Sequence, residues 1–208
     1  MAKHLSQAPH AKGKNVFSLL RGHPFCPAGS LGFSLIELVV ILAILAILAG
    51  FVIPNLSEWQ SNAKVKAVAR DVVTHMQLAK MEAVKTNSRA VALFTSGAYS
   101  PAGEVGNYTV FLDNNENFVQ DGGEQLILQQ GMPPGISLTA ADFADFAGLG
   151  TPATASGFRP RGLPLSSANG GANAGVLIRN NKSRFYRILI SPAGNIRLQI
   201  STDGATWQ

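Results

Sequence analysis

Hydrophobic and polar positions divide this chain into three regimes. From Phe33 to Ile53 the run FSLIELVVILAILAILAGFVI is apolar at nearly every position and carries one charge, Glu37. At roughly 1.5 Å per residue a helix of this length spans about 30 Å, the thickness of a bilayer core. In lipid the backbone of such a segment must satisfy its own hydrogen bonds, which demands a helix. Gly50 and Pro54 mark a weak point and a bend near its end. The pattern then becomes amphipathic. Val65, Val68, Val72, Met76, Ala79 and Ala83 recur at spacings of three and four, while Lys66, Arg70, Thr74, Gln77 and Lys80 take other positions. That periodicity predicts a helix from about Asn55 to Thr86, laying one stripe on a core and stopping near Asn87-Ser88. His75 falls beside the stripe and reads as a partly buried or surface histidine.

The third regime consists of short strands separated by Gly, Pro and Asn. They are expected at 89–95, 107–113, 125–130, 135–139, 154–159, 175–180, 184–191 and 195–201. The clearest is the hairpin formed by Arg184–Ile190, the turn Pro192-Ala193-Gly194-Asn195, and Ile196–Ser201. A long helix followed by antiparallel strands predicts an α+β domain with the helix laid across the sheet. The organisation is a leader at 1–32, an apolar helix at 33–53, its amphipathic half at 54–88 and a β-sheet domain at 89–208.

An ordinary cleaved signal peptide has an apolar core of about 7–15 residues ending at a small-x-small site. This run is longer, and no such site follows it. A signal anchor fits the length. Against a plain anchor stands Glu37, because a carboxylate within a membrane helix costs roughly 2.5–3.5 kcal/mol and needs a partner. Charge does not settle the orientation. Lys14 and Arg21 precede the helix within the usual counting range, and Lys64, Lys66 and Arg70 follow it.

Composition narrows the chemistry. The net charge of +5 over 208 residues owes most to Lys3, Lys12, Lys14 and Arg21 in the first 32 residues, which hold no acid. The single cysteine, Cys26, and three of the four histidines (His4, His10 and His23) lie in the same segment. Without that segment no disulfide or thiolate site is available, and a His-based triad or multi-His metal site is nearly excluded. The chain therefore reads as non-enzymatic and without a cofactor, calcium excepted.

That exception is the stretch in which Asp113, Asn115, Asn117, Val119, Asp121 and Glu124 fall at positions 1, 3, 5, 7, 9 and 12 of a calcium-loop spacing. Phe118 stands where such loops carry glycine, and the flanks are strands, so an ordinary solvated hairpin competes with a cation loop. Charge also segregates. Residues 99–156 carry acids and no Lys or Arg, whereas 157–208 carry Arg159, Arg161, Arg179, Lys182, Arg184, Arg187 and Arg197 against Asp203 alone. Intramolecular neutralisation and head-to-tail complementarity between copies are the two readings. Arg159, Arg161, Arg184, Arg187 and Arg197 are candidate DNA or partner contacts, because arginine forks fit phosphate.

The stretch Gly32-Phe33-Ser34-Leu35-Ile36-Glu37-Leu38, with the apolar run behind it, resembles the prepilin signature of type IV pilins and pseudopilins. The resemblance implies that a prepilin peptidase cuts between Gly32 and Phe33, that Phe33 is then N-methylated, and that Glu37 becomes the fifth mature residue. It also supplies the missing partner, since the Glu37 carboxylate would set register against the N-terminal amine of a neighbouring subunit. Pro54 would be mature residue 22, where pilins commonly carry a proline. The Gly157-Phe158-Arg159-Pro160-Arg161-Gly162 turn, the 113–124 stretch and the 184–201 hairpin resemble the GspH/FimT branch.

Two functions follow from that resemblance. One is a minor pseudopilin of type II secretion, anchored in the inner membrane with its C-terminal domain in the periplasm, and contacting other pseudopilins and secreted cargo. The other is a minor FimT-like type IV pilin for pilus assembly or DNA uptake. The Gly-Arg-x-Arg motif of DNA-binding members reads Gly194-Asn195-Ile196-Arg197 here, without its first arginine. DNA is the weaker partner for that reason.

Overall fold

A computed structural model describes residues 32–145, 148–168 and 175–208, and of 51–55 the backbone alone. Residues 1–31, which include Cys26, three histidines and almost the whole expected leader, lie outside the described residues. Contacts divide the chain into two units, one ending at Ala46 and one from Ile47 to Gln208.

Helix α1 runs from Leu35 to Thr86. Its helical backbone continues across Gly50 and Pro54, so neither residue ends it. The side-chain environment of Pro54, and with it the expected bend, lies outside the described residues. The far end is closed by local chemistry. Asn87 adopts a left-handed φ of 51°, and the Ser88 amide donates to the Ala83 carbonyl at 3.2 Å. This is the pattern by which a helix satisfies its last carbonyls, and asparagine tolerates that φ better than most residues.

Eight strands follow: β1 Arg89–Thr95, β2 Asn107–Asp113, β3 Leu126–Gly131, β4 Ile136–Asp142, β5 Ala155–Phe158, β6 Gly175–Asn180, β7 Phe185–Ile190 and β8 Ile196–Ser201. The helix-on-antiparallel-sheet expectation is met, with the sheet divided in two. One sheet has the order β3-β2-β1-β5 and the other β4-β6-β7-β8, with antiparallel pairs throughout. The segment after β1 joins them, through Gly97 N–H to Leu138 O at 3.1 Å and Leu138 N–H to Val105 O at 2.9 Å.

One core lies between α1 and the sheets. Val65, Ala69, Val72, Met76, Ala79 and Ala83 pack with Phe94, Tyr108, Val110, Ile178, Tyr186 and Ile188. The predicted stripe is nearly this set. Val68 is only half-buried and Ala69 takes its place; Ala63 and Ala67 are exposed. A second, smaller cluster covers the opposite face of the first sheet with Val91, Phe111, Phe118, Ala155 and Leu165. Both faces of β1 and β2 are therefore buried, which is why their sequences read as apolar runs and not as alternation. At Gly157 an added Cβ would sit 2.1 Å from the Ala90 carbonyl oxygen, so the β1–β5 pairing requires glycine there.

Candidate functional site

The candidate assembly segment opens the described chain. Among the described residues nothing lies within 4 Å of a Cβ added at Gly32. Phe33 is 76% exposed. Ser34 precedes the helix, and its carbonyl accepts the Leu38 amide at 3.1 Å. Glu37 lies exposed in the first turn of α1, where the positive end of the helix dipole favours a carboxylate. The apolar side chains from Leu35 to Leu48 are exposed around the whole helix. A helix apolar on every face is one that other apolar matter must cover. Among the described residues no helix is long and apolar enough to cross a membrane. The stretch from Leu35 to Gly50 is shorter than the about 20 residues a bilayer core takes.

The 113–124 loop is closed upon itself. Asp113, almost wholly buried, accepts the Asn117 amide at 3.0 Å and the Phe118 amide at 3.2 Å. Glu124 accepts the amides of Asn114 and Asp121. Asn115 and Asn117 turn their Nδ2 groups to Asp121 at 2.7 and 2.8 Å, and these bonds hold the Asp121 carboxyl below its ordinary value. A cation arrives from the protein itself. Arg89 on β1 reaches Glu116 Oε2 at 2.8 Å and Asp113 Oδ2 at 3.7 Å, and lies over the Phe118 ring. Phe118 takes a left-handed φ of 62° at the position where calcium loops carry glycine. Burial of its ring in the second cluster offsets that strain. Among the described residues no group of three or more His, Cys, Asp or Glu is arranged to hold a metal.

The candidate basic contacts do not form one patch. Arg161 lies exposed in the turn after β5, and Arg197 lies exposed on β8. Their turns touch, with the Gly162 carbonyl against Gly194, and Lys80 donates to the Gly194 carbonyl at 3.2 Å. Arg159 is half-buried beside them. Arg184 belongs to the β6–β7 turn, which bonds α1 at Ser61 and Asn62. That is about 28 Å along the helix from Lys80, at 1.5 Å per residue. Arg187 is 5% exposed, stacked over Trp207 at 4.3 Å and bonded to Gln199. Arg179 lies between Tyr99 and Phe185, with its guanidinium carbon 3.8 and 4.7 Å from the ring centres. The described ion pairs are Lys85 with Glu82 and Arg89 with Asp113 and Glu116, and none of these joins the acidic block to the basic one.

The spacing of apolar residues carried no sign of the clasp at Asn180. This residue is fully buried. Its Nδ2 donates to Ser61 Oγ at 3.0 Å and Asn62 Oδ1 at 2.9 Å, and its Oδ1 accepts the amides of Lys182 and Arg184. One side chain thus shapes the β6–β7 turn and fastens it to α1. An asparagine ending a strand signals a turn but not its distant partner.

A long helix, apolar all round where it begins and striped where it meets antiparallel sheets, defines the pilin-like class. Residues 68–194 match the family of type II transport protein GspH, and the chain belongs to that family. The family consists of membrane-anchored pseudopilins with a structural role. The chain is also similar to pilin-like protein PilA1 of Thermus thermophilus, 34% identical over 95 residues, or 45% of this chain and 55% of that protein. It spans about half the length of that curated relative. No solved structure matches it.

Proposed function

We propose that this chain is a minor pseudopilin of the type II secretion system, cleaved by prepilin peptidase between Gly32 and Phe33. The observation that carries the reading is the exposed start of α1, with Glu37 in its first turn, on a helix whose second half belongs to a GspH domain. Segment 33–53 anchors the unassembled subunit in the inner membrane, and the sheet domain lies in the periplasm. On assembly the exposed apolar collar passes from lipid to the filament core. There the Glu37 carboxylate meets the N-terminal amine of a neighbouring subunit, and pairing lowers the cost of keeping a charge among apolar helices. The action is mechanical, with other pseudopilins as partners and secreted cargo at the exposed domain.

Intact mass and N-terminal sequencing of membrane protein, with and without prepilin peptidase, test the reading. A chain beginning at N-methylated Phe33 is expected, and an intact leader overturns it. Deletion in the native host separates the machines. Loss of secreted proteins with pili intact is expected for a pseudopilin.

A minor type IV pilin for pilus assembly or DNA uptake is the second reading. It is favoured by the similarity to a pilin-like protein and by the contact between the turn that carries the exposed Arg161 and the turn that leads into the exposed Arg197 of β8. DNA binding that falls steeply with salt and is lost in Arg161→Ala/Arg197→Ala would establish it.

A further inference from the structure

Two polar hollows flank α1 immediately beyond the apolar run. The first, of about 350 Å³, is lined from the helix by Ser57, Gln60, Ser61 and Lys64 and from the β6–β7 turn by Asn181 and Lys182. The second, of about 310 Å³, is lined from the helix by Trp59 and Lys66 and from β7 and its turn by Arg184. Each uses helix positions spaced by three and four, so each occupies one side of the helix, with the buried stripe beginning at Val65 between them. No carboxylate lines either hollow. Lys64, Lys66, Lys182 and Arg184 form no ion pair among the described residues, and the nearby acid on the helix, Glu58, borders neither hollow.

Position along the helix is the second observation. Ser57 to Lys64 lie about 6 to 17 Å past Ile53 at 1.5 Å per residue, and helical side chains lean toward the N-terminus, here toward the apolar run. That is the depth of lipid headgroups when the run fills a bilayer core. Trp59, 67% exposed, is of the type that settles at this interface. Lys64 and Lys66, on the translocated side, weaken the charge bias that orients an anchor. Paired with headgroup phosphates, they gain a function there.

We infer that these two hollows bind the phosphate headgroups of anionic lipids and hold the unassembled subunit at a fixed height on the outer leaflet. The inference rests on the reading that 33–53 spans the membrane. Each hollow offers two cations to one phosphate, with the amide groups of Gln60 and Asn181 beside the first pair, while the Ser61 hydroxyl is engaged with Asn181 Oδ1 at 2.9 Å. At about 30 Å³ per water, each has room for a phosphodiester and several waters.

The test uses the full chain in detergent, analysed by native mass spectrometry with phosphatidylglycerol, phosphatidylcholine or inorganic phosphate added in turn. Phosphatidylglycerol is expected to be retained over phosphatidylcholine. Each neutralisation among Lys64→Gln, Lys66→Gln, Lys182→Gln and Arg184→Gln should weaken retention about fivefold, the effect of one basic side chain at an anionic surface. Lys64→Arg and Lys182→Arg should preserve it. Equal retention of both lipids, or retention unchanged in the quadruple variant, overturns the inference. Displacement of lipid by inorganic phosphate at equal concentration assigns the hollows to free anions and overturns the lipid assignment. Flotation with vesicles separates the two readings. A chain that floats with phosphatidylcholine yet shows no lipid preference overturns the hollows alone, whereas a chain that floats with neither composition overturns the anchor and the hollows together.

Discussion

The hydroxyl of Tyr108 on β2 lies 2.6 Å from Nδ1 of His75 on α1, joining the helix to the first sheet through a polar contact at the edge of an apolar core. Burial, and secondarily the charge of Asp71, pushes the Tyr108 hydroxyl well above its ordinary value of 10. It is therefore a phenol at neutral pH, and which of the two groups donates follows the imidazole tautomer. Tyr108→Phe should cost about 1 kcal/mol, one net hydrogen bond, and lower the melting temperature by about 2–4 °C. A raised value in the folded state means that this contribution is complete below pH 10 and is lost as pH rises through the higher folded value. Spectrophotometric titration should show a phenol that resists ionisation past pH 10 and disappears in the Phe variant. Tyr186, also raised by burial, remains in both.

Asn180 makes four hydrogen bonds, two to α1 and two within its own turn. Asn180→Ala should destabilise the domain by about 2 kcal/mol, because the turn amides lose their acceptor and Ser61 and Asn62 must find water. Denaturant unfolding measures this. A loss within the roughly 0.5 kcal/mol of an ordinary surface change would mean that the clasp does not hold the turn.

Arg89 faces Asp113 and Glu116 with its guanidinium almost wholly buried. Arg89→Ala should cost about 2–3 kcal/mol, since it strands the buried Asp113 charge with only two backbone amides. Because asparagine Nδ2 groups and backbone amides point at the loop's carboxylates, calcium should leave the wild-type melting temperature unchanged. A calcium-dependent rise would restore the cation loop.

Asp203 organises the C-terminal turn, accepting from the Thr206 hydroxyl and amide, the Ser201 hydroxyl and the Ala205 amide. These bonds hold its carboxyl far below the ordinary 3.8. A lowered value means that the turn has its full support above pH 3.8 and loses it as pH falls through the folded value. Trp207, stacked on Arg187, reports the change. In a Trp59→Phe background its fluorescence should hold steady to pH 3.8 and shift only in stronger acid, whereas Asp203→Ala should show the shifted spectrum at neutral pH.

Glu37→Ala should insert in the membrane at least as well as the wild type, since it removes a costly charge, and yet fail to enter filaments. Cross-linking to neighbouring subunits checks this. Normal incorporation would refute the register role of Glu37.

Much of the architecture was legible in the chain. Strand positions fell within a few residues of expectation because short apolar runs and the Gly, Pro and Asn breaks between them are imposed by backbone geometry over a few residues. The stripe on α1 was legible for the same reason, apart from the exchange of Val68 for Ala69. Hidden from view were Asn180, whose partners on α1 lie more than a hundred residues away, and Arg89, whose acids arrive from the next hairpin.

Local periodicity was thus enough for the long helix, its apolar start and the succession of strands along the chain. Folding alone decided that the strands form two sheets, that both faces of β1 and β2 are covered, and that the turn of Arg161 adjoins the turn leading into Arg197 while Arg184 stands beside Lys66. Those outcomes depend on which distant segments exclude water from one another, and hydrophobic burial has no direction along the chain that a linear pattern could record.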